Sequence, residues 1–260
     1  MSSWRLLLDG AGDAAHNMSV DESLLLHARD FGPVLRLYEW DEPSVSLGLR
    51  QVEPGWLARC DALGVPVVRR VSGGGAVLHA GDLTYSVAAP LDVAGLPGDL
   101  RGSYEWIRAR LVAGLARAGL AAAASRARAG ADRLELCFAG ATGFEVELDG
   151  EKLVGSAQRR TRHGFLQHGS IRIADDSALY RALTGDSPAG PKPPALPIRT
   201  LKDALVASFR EALGGALEPA RLSAPEQRCA LERTALRRQS RLLAPALAFR
   251  RRSELADTQT

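Results

Sequence analysis

Apolar and polar residues alternate with two different periods along this 260-residue chain, and the changes of period mark its elements. From Asn17 to Arg29 the apolar positions Met18, Val20, Leu24, Leu25 and Ala28 form a helical stripe that Asn17 or Ser19 is expected to cap. Short β-like runs follow. Val34 to Trp40 leads into the turn Asp41-Glu42-Pro43, and Ser44 to Leu49 alternates through Val45, Leu47 and Leu49. Glu53 to Leu63 reads as a helix stopped by Gly64. Val65 to Val71 reads as a strand running into Ser72-Gly73-Gly74-Gly75, and Leu83 to Val87 continues the sheet. Ser103 is expected to cap a helix reaching about Leu120, with Trp106, Ile107, Leu111 and Leu115 on one face.

Beyond it, Ala121 to Gly130 reads as either helix extension or loop. Phe144 to Leu148 alternates cleanly, Asp149-Gly150 is a hairpin turn, and Lys152 to Ser156 is the return strand. Gly164 precedes another alternating strand through Ile173. The stretch 186–197 is too rich in proline for regular structure and reads as a loop. Leu201, Ala204, Leu205, Phe209 and Leu213 mark an amphipathic helix ending at Gly214-Gly215, and Glu226 to Arg241 a last helix before a frayed end at 253–260. Strands outnumber helices but are interleaved with them. The predicted class is α+β, a mixed α/β domain on an antiparallel or mixed sheet.

Composition narrows the function classes. Hydrophobic residues at 46% and charged residues at 24% are ordinary for a globular protein of a size that buries a substantial core. The formal charge is only +3 and aromatics are 5%, whereas a nucleic-acid binder interleaves a basic patch with aromatics; no nucleic-acid partner is expected. Cys60, Cys137 and Cys229 are odd in number, far apart and without a C-x-x-C, which argues against a disulfide framework or a metal site. The leucine run before Asp9 is too short for a secretory signal, and no stretch approaches the roughly 18 apolar residues of a membrane span. A cytoplasmic protein with no membrane partner is expected.

Three segments carry candidate chemistry. In Arg69-Arg70-Val71-Ser72-Gly73-Gly74-Gly75-Ala76-Val77-Leu78-His79, three glycines after a strand let backbone N–H groups approach an anion or carbonyl closely. The pattern is neither a Walker A loop nor G-x-G-x-x-G, and a glycine-rich hairpin with no ligand is the competing reading. Cys137 precedes the small, loop-like run 139–143; a lone cysteine is otherwise a small buried hydrophobe. Fifteen positions on, Lys152 opens Lys152-Leu153-Val154-Gly155-Ser156-Ala157-Gln158, followed by Leu166-Gln167-His168-Gly169-Ser170. Lys152 is either a solvated lysine or the ammonium that raises the thiolate fraction of Cys137, a pairing that suits acyl transfer through a thioester. His168 is equally readable as a core histidine.

Taken together these residues resemble the biotin/lipoate protein ligase catalytic-domain family. The resemblance is carried by Asn17-Met18 with Asp21-Glu22, Arg36-x-Tyr38-x-Trp40, Ser44-x-Ser46-Leu47-Gly48, the Arg69 to His79 block with Leu83 to Ser86, and the Lys152 and Leu166 blocks. It runs from about Gly10 to about Ile173, and more weakly through the helix at Leu201. Cys137-Phe138 followed by Lys152 is similar to the octanoyl-[acyl-carrier-protein]:protein N-octanoyltransferases of ligase-like sequence, although the segment 139–144 is smaller than is usual there.

The resemblance implies a catalytic domain over 1–215 and a C-terminal helical segment with a basic tail over 216–260. It implies transfer of an octanoyl group from octanoyl-acyl-carrier protein to a lysine of a lipoyl-domain protein, with the glycine-cleavage H protein as the expected acceptor. Cys137 and Lys152 would be catalytic. Arg69, Arg70, Ser72, Gly73, Gly74, Gly75, His79, Gly155, Ser156, Ala157 and His168 would bind substrate, with no cofactor. Two other readings stay open: an ATP-dependent lipoate–protein ligase in which Cys137 is incidental, and a non-catalytic module that captures carrier or lipoyl proteins.

Overall fold

The computed structural model describes residues 3–125, 145–188, 192, 194 and 196–239. Cys137, its flanking segment 126–144 and the tail 240–260 lie outside the described residues. In chain order the elements begin with β1 (Trp4–Gly12), α1 (Ala14–Leu26), α2 (Ala28–Phe31), β2 (Val34–Trp40), β3 (Ser44–Leu47), α3 (Leu57–Ala62), β4 (Val67–Arg69), β5 (Val77–His79) and β6 (Leu83–Ala89). Next come α4 (Leu100–Arg117), β7 (Ala123–Ala124), β8 (Val146–Leu148), β9 (Glu151–Thr161) and β10 (Gly164–Ile171). The last are α5 (Ser177–Thr184), α6 (Ile198–Ala212), β11 (Leu217–Pro219) and α7 (Ala224–Gln239).

Among the described residues the main sheet has eight strands in the order β11-β1-β2-β6-β10-β9-β8-β7. The β11-β1 and β1-β2 pairs are parallel and the rest antiparallel, so the sheet is mixed. A second sheet, β4-β3-β5, combines one parallel and one antiparallel pair. This is the α+β class the periodicity predicts.

The period of two splits the main sheet into unlike faces. Leu35 and Leu37 of β2, Tyr85 and Val87 of β6 and Phe165 of β10 join Ile107 and Leu111 of α4 and Leu205 and Phe209 of α6 in the largest apolar core. The alternate positions Arg36, Tyr38, Thr84, Ser86, His168 and Ser170 are equally buried but polar. This polar layer holds the site.

Helix α1 lies between the sheet and α7 and is buried from Asn17 to Leu26, which its mixed composition does not advertise. Its buried polar side chains are engaged. Glu22 pairs with Arg233 and Arg237 of α7, each at 2.6 Å, while Asp21, one residue away, pairs with Arg36 of the sheet. The expected caps differ from those found. Asp13 caps α1 by accepting from the His16 N–H at 2.7 Å, because the side-chain amide of Asn17 is drawn to the Gly12 and Glu39 carbonyls. Asp99 caps α4, and Ser103 sits inside the first turn donating back to the Asp99 carbonyl.

Residues 217–239 extend this arrangement: β11 adds an edge strand to β1, and Glu226 of α7 takes Arg5 of β1 in an ion pair at 2.6 Å. At the Asp149-Gly150 turn both residues have positive φ (54° and 80°), the geometry that joins β8 to β9 in a tight hairpin. Among the described residues no helix is long and apolar enough to cross a membrane.

Candidate active site

A cleft of about 340 Å³, counting its open mouth, takes its walls from both sheets and from Met18 of α1. Six of the residues singled out in the sequence line it: Arg70, His79, Gly155, Ser156, Ala157 and His168. Tyr38, Ser46 and Thr84 line it as well; they stand in the sequence blocks that carry the resemblance but are not among the site residues named from it.

Asp21 organises the floor. Its Oδ1 accepts from Arg36 Nη1 and Ser86 Oγ, both at 2.9 Å, and its Oδ2 from the Tyr38 hydroxyl and His168 Nδ1, both at 2.8 Å. Burial pushes the carboxyl up, but the His168 hydrogen bond and the Arg36 charge outweigh it and hold the pKa below the ordinary value. Burial and the Asp21 charge push the Tyr38 hydroxyl well up against the opposing Arg36 charge, so it stays a donor. Four donors on one carboxylate use its full accepting capacity.

Because a carboxylate only accepts, His168 donates from Nδ1. Its Nε2 is bonded to Ser72 Oγ at 2.5 Å, which ties the head of the glycine loop to β10. A second relay repeats the pattern. His79 Nδ1 bonds Asp82 Oδ2 at 3.0 Å, and its Nε2 bonds Ser46 Oγ at 2.8 Å. Trp40 stacks on the His79 ring with centroids 3.8 Å apart and donates its indole N–H to Thr84 Oγ1. Burial raises the Asp82 carboxyl, but the His79 charge and hydrogen bonds from His79, Ser170 and Thr84 bring it below the ordinary value. Both histidines of the cleft therefore spend both ring nitrogens on protein partners.

The arginines brace the loop. Arg70 donates to the carbonyls of Ser46, Gly73 and Gly75 at 2.7, 2.8 and 2.6 Å, and Arg69 to those of Gly48 and Gln51 at 2.8 and 2.9 Å. Gly74 has φ +92°, and a Cβ on Gly48 would meet the Gly74 carbonyl oxygen at 2.0 Å. Glycine at both positions lets β3 and the loop touch, and β3 stops at Leu47 instead of running to Leu49. Arg69, Ser72 and Gly73 to Gly75 thus lie behind or beside the lining, and Arg70 meets both loop and cleft.

Lys152 is buried on β9 with its Nζ 3.3 Å from Glu145 Oε1, and it is not among the residues lining the cleft. Its relation to Cys137 falls outside the described residues. Cys60 and Cys229 are both buried. Sequence reasoning missed Asp21 and Glu145 as site residues. For Asp21 a signal existed: the acidic pair Asp21-Glu22 interrupts an apolar helix at positions that cannot both reach water.

Residues 13–219 match the family described as the lipoyl protein ligase A/B catalytic domain. The octanoyltransferase LipM of Kyrpidia tusciae is 39% identical over 259 residues, covering 88% of this chain and 94% of that one. The octanoyltransferase LipM of Symbiobacterium thermophilum is 35% identical over 257 residues, covering 87% and 92%. The crystal structure of a lipoate-protein ligase A bound with ATP shares the fold, with TM-score 0.69 and 23% identity over 90% of this chain and 95% of that one. By these matches the chain belongs to the lipoyl protein ligase A/B catalytic domain family.

Proposed function

We propose that the protein is an octanoyltransferase of protein lipoylation. It takes the octanoyl group from octanoyl-acyl-carrier protein onto Cys137 and passes it to a lysine of a lipoyl-domain protein, with the glycine-cleavage H protein as acceptor. The observation that carries this reading is the resemblance to octanoyltransferases over nine-tenths of their length. The site supports the division of labour. With His79 and His168 held at both nitrogens, the proton work falls to Lys152.

In the first half-reaction the Cys137 thiolate attacks the carrier thioester. The carrier sulfur leaves and takes a proton from the Lys152 ammonium, giving the octanoyl-enzyme, a free carrier thiol and a neutral Lys152. In the second, the neutral acceptor amine attacks the new thioester and loses a proton to Lys152. The amide forms, and the Cys137 thiolate and Lys152 ammonium are restored. A thioester is exchanged for a thioester and then for an amide, so no ATP is consumed. Backbone N–H groups at Gly73 to Gly75 and Gly155 to Ser156 would hold the oxyanion; one such donor contributes on the order of 100- to 1,000-fold.

The test is intact mass spectrometry after mixing with octanoyl-acyl-carrier protein in the absence of ATP. A gain of roughly 126 Da mapped to Cys137 is the expected result, since an acylated nucleophile retains the transferred group. An unlabelled Cys137 in an enzyme that needs ATP and free octanoate would overturn it in favour of a ligase.

A further inference from the structure

Glu145 is a buried acid for which this mechanism has no use. Its carboxylate is 5% exposed and lies 3.3 Å from Lys152 Nζ, and Ser125 holds it from the other side. The Ser125 N–H donates to the Glu145 carbonyl at 3.0 Å, and the Ser125 hydroxyl donates to Oε2 at 3.4 Å. Burying a carboxylate is costly unless it is paired, and a glutamate at a strand edge would otherwise turn outward to water.

We propose that Glu145 is a positioning residue for Lys152 that drives the second half-reaction. The inference rests on the role given to Lys152 above. When Lys152 gives its proton to the departing carrier thiolate, the neutral amine no longer offsets the Glu145 charge. The ion pair re-forms when Lys152 takes a proton from the attacking acceptor amine. Glu145 thus favours the step that completes transfer and opposes the step that precedes it. Its negative charge also weakens the field of the Lys152 ammonium at the Cys137 thiol.

Glu145→Gln keeps the shape and removes the charge. In single turnovers the octanoyl group should move from pre-formed octanoyl-enzyme to the glycine-cleavage H protein about tenfold or more slowly, the scale of one hydrogen bond to a charged group. Acylation by octanoyl-acyl-carrier protein should not slow, and acyl-enzyme should accumulate at steady state. Alkylation of Cys137 should move to lower pH, opposite to the shift expected of Lys152→Ala. Glu145→Asp, which retains the charge, should keep the wild-type alkylation profile. Because it draws the carboxylate back from Lys152 by one methylene, its second half-reaction should still slow severalfold with acylation unchanged, and this carries the test if the glutamine variant does not fold.

Equal slowing of both half-reactions, or wild-type values throughout, would overturn the role of Glu145 while Cys137 labelling left the thioester intact. An enzyme never labelled at Cys137 would overturn both.

Discussion

At the scale of single residues, the site divides into groups that are held and groups that are left to react. The two histidines are the groups a reader of the sequence would nominate first, yet Asp21, Asp82, Ser46 and Ser72 claim all four of their ring nitrogens. The proposed mechanism then leaves reactivity to Cys137 and Lys152. Cys137→Ala is expected to abolish octanoyl transfer with the fold intact, as circular dichroism beside the activity assay would show; normal turnover would end the thioester mechanism. Lys152→Ala should slow transfer and raise the apparent pKa of the thiol, because an ammonium favours the thiolate. Iodoacetamide alkylation measured against pH reads this directly, and a superimposable curve would remove Lys152 from its activating role. The glycine loop, Lys152 and the Leu166 block were legible as segments because their residue types are unusual for surface strands. Asp82 and Glu145 were not, since a lone carboxylate has the same letter whether solvated or buried, and only the fold supplies its donors; Asp21 was marked only by its place beside Glu22 in a helix with no face free for both.

Among elements, the glycine loop shows how a backbone contact positions a site. Gly48→Ala would drive its Cβ into the Gly74 carbonyl, which Gly73 and Gly75, held by Arg70, leave little room to shift. We expect at least a tenfold loss of activity, on the scale of a small misplacement of catalytic groups. Gly55→Ala, with nothing within 4 Å of its added Cβ, should match the wild type in the same assay.

The pairing of α1 with α7 gives a stability counterpart. Removing both Arg233 and Arg237 leaves Glu22, 1% exposed, without its two cations. The cost should be about 3–5 kcal/mol. Urea unfolding would read it, and an unchanged midpoint would show the helix contact to be passive.

Why some elements were readable follows from the same physics. Strands β2, β6 and β10 alternate because one face meets the apolar core, and α4 and α6 show an apolar stripe for the same reason. The strand β1 was hidden because its sequence, Trp4 to Gly12, packs on both faces and then bulges between Leu8 and Ala11. The short strands β5 and β11 owe their existence to partners far along the chain. The helix caps were misplaced by a few residues because Asn17 and Ser103, good caps by type, are used elsewhere in the packing.

For the whole molecule, the buried carboxylates make folding depend on acid in a defined direction. Asp21 and Asp82 titrate below the ordinary 3.8, and Glu226 below 4.5, in each case because cationic or hydrogen-bonding partners outweigh burial. A carboxyl with a depressed folded pKa contributes stability that is complete above its unfolded value and lost as pH falls through the folded one. His16, depressed by burial and the Arg36 charge, adds an earlier loss that begins below 6.5. Stability should therefore hold near neutrality, decline slightly below pH 6.5 and fall steeply below about 4.5. Asp21→Asn isolates one of these carboxylates. Its amide nitrogen would face donors on one side of the hub, where Arg36, Ser86, Tyr38 and His168 all require an acceptor, at a cost of about 3–5 kcal/mol at pH 7. The variant also lacks a proton site, so its further loss between pH 4.5 and 2 should be smaller than that of the wild type. Denaturant titrations at pH 7, 5 and 3 separate the two effects: equal acid losses in both proteins would mean that the titrating groups lie elsewhere, and an equal midpoint at pH 7 would mean that the hub does not hold the polar layer together.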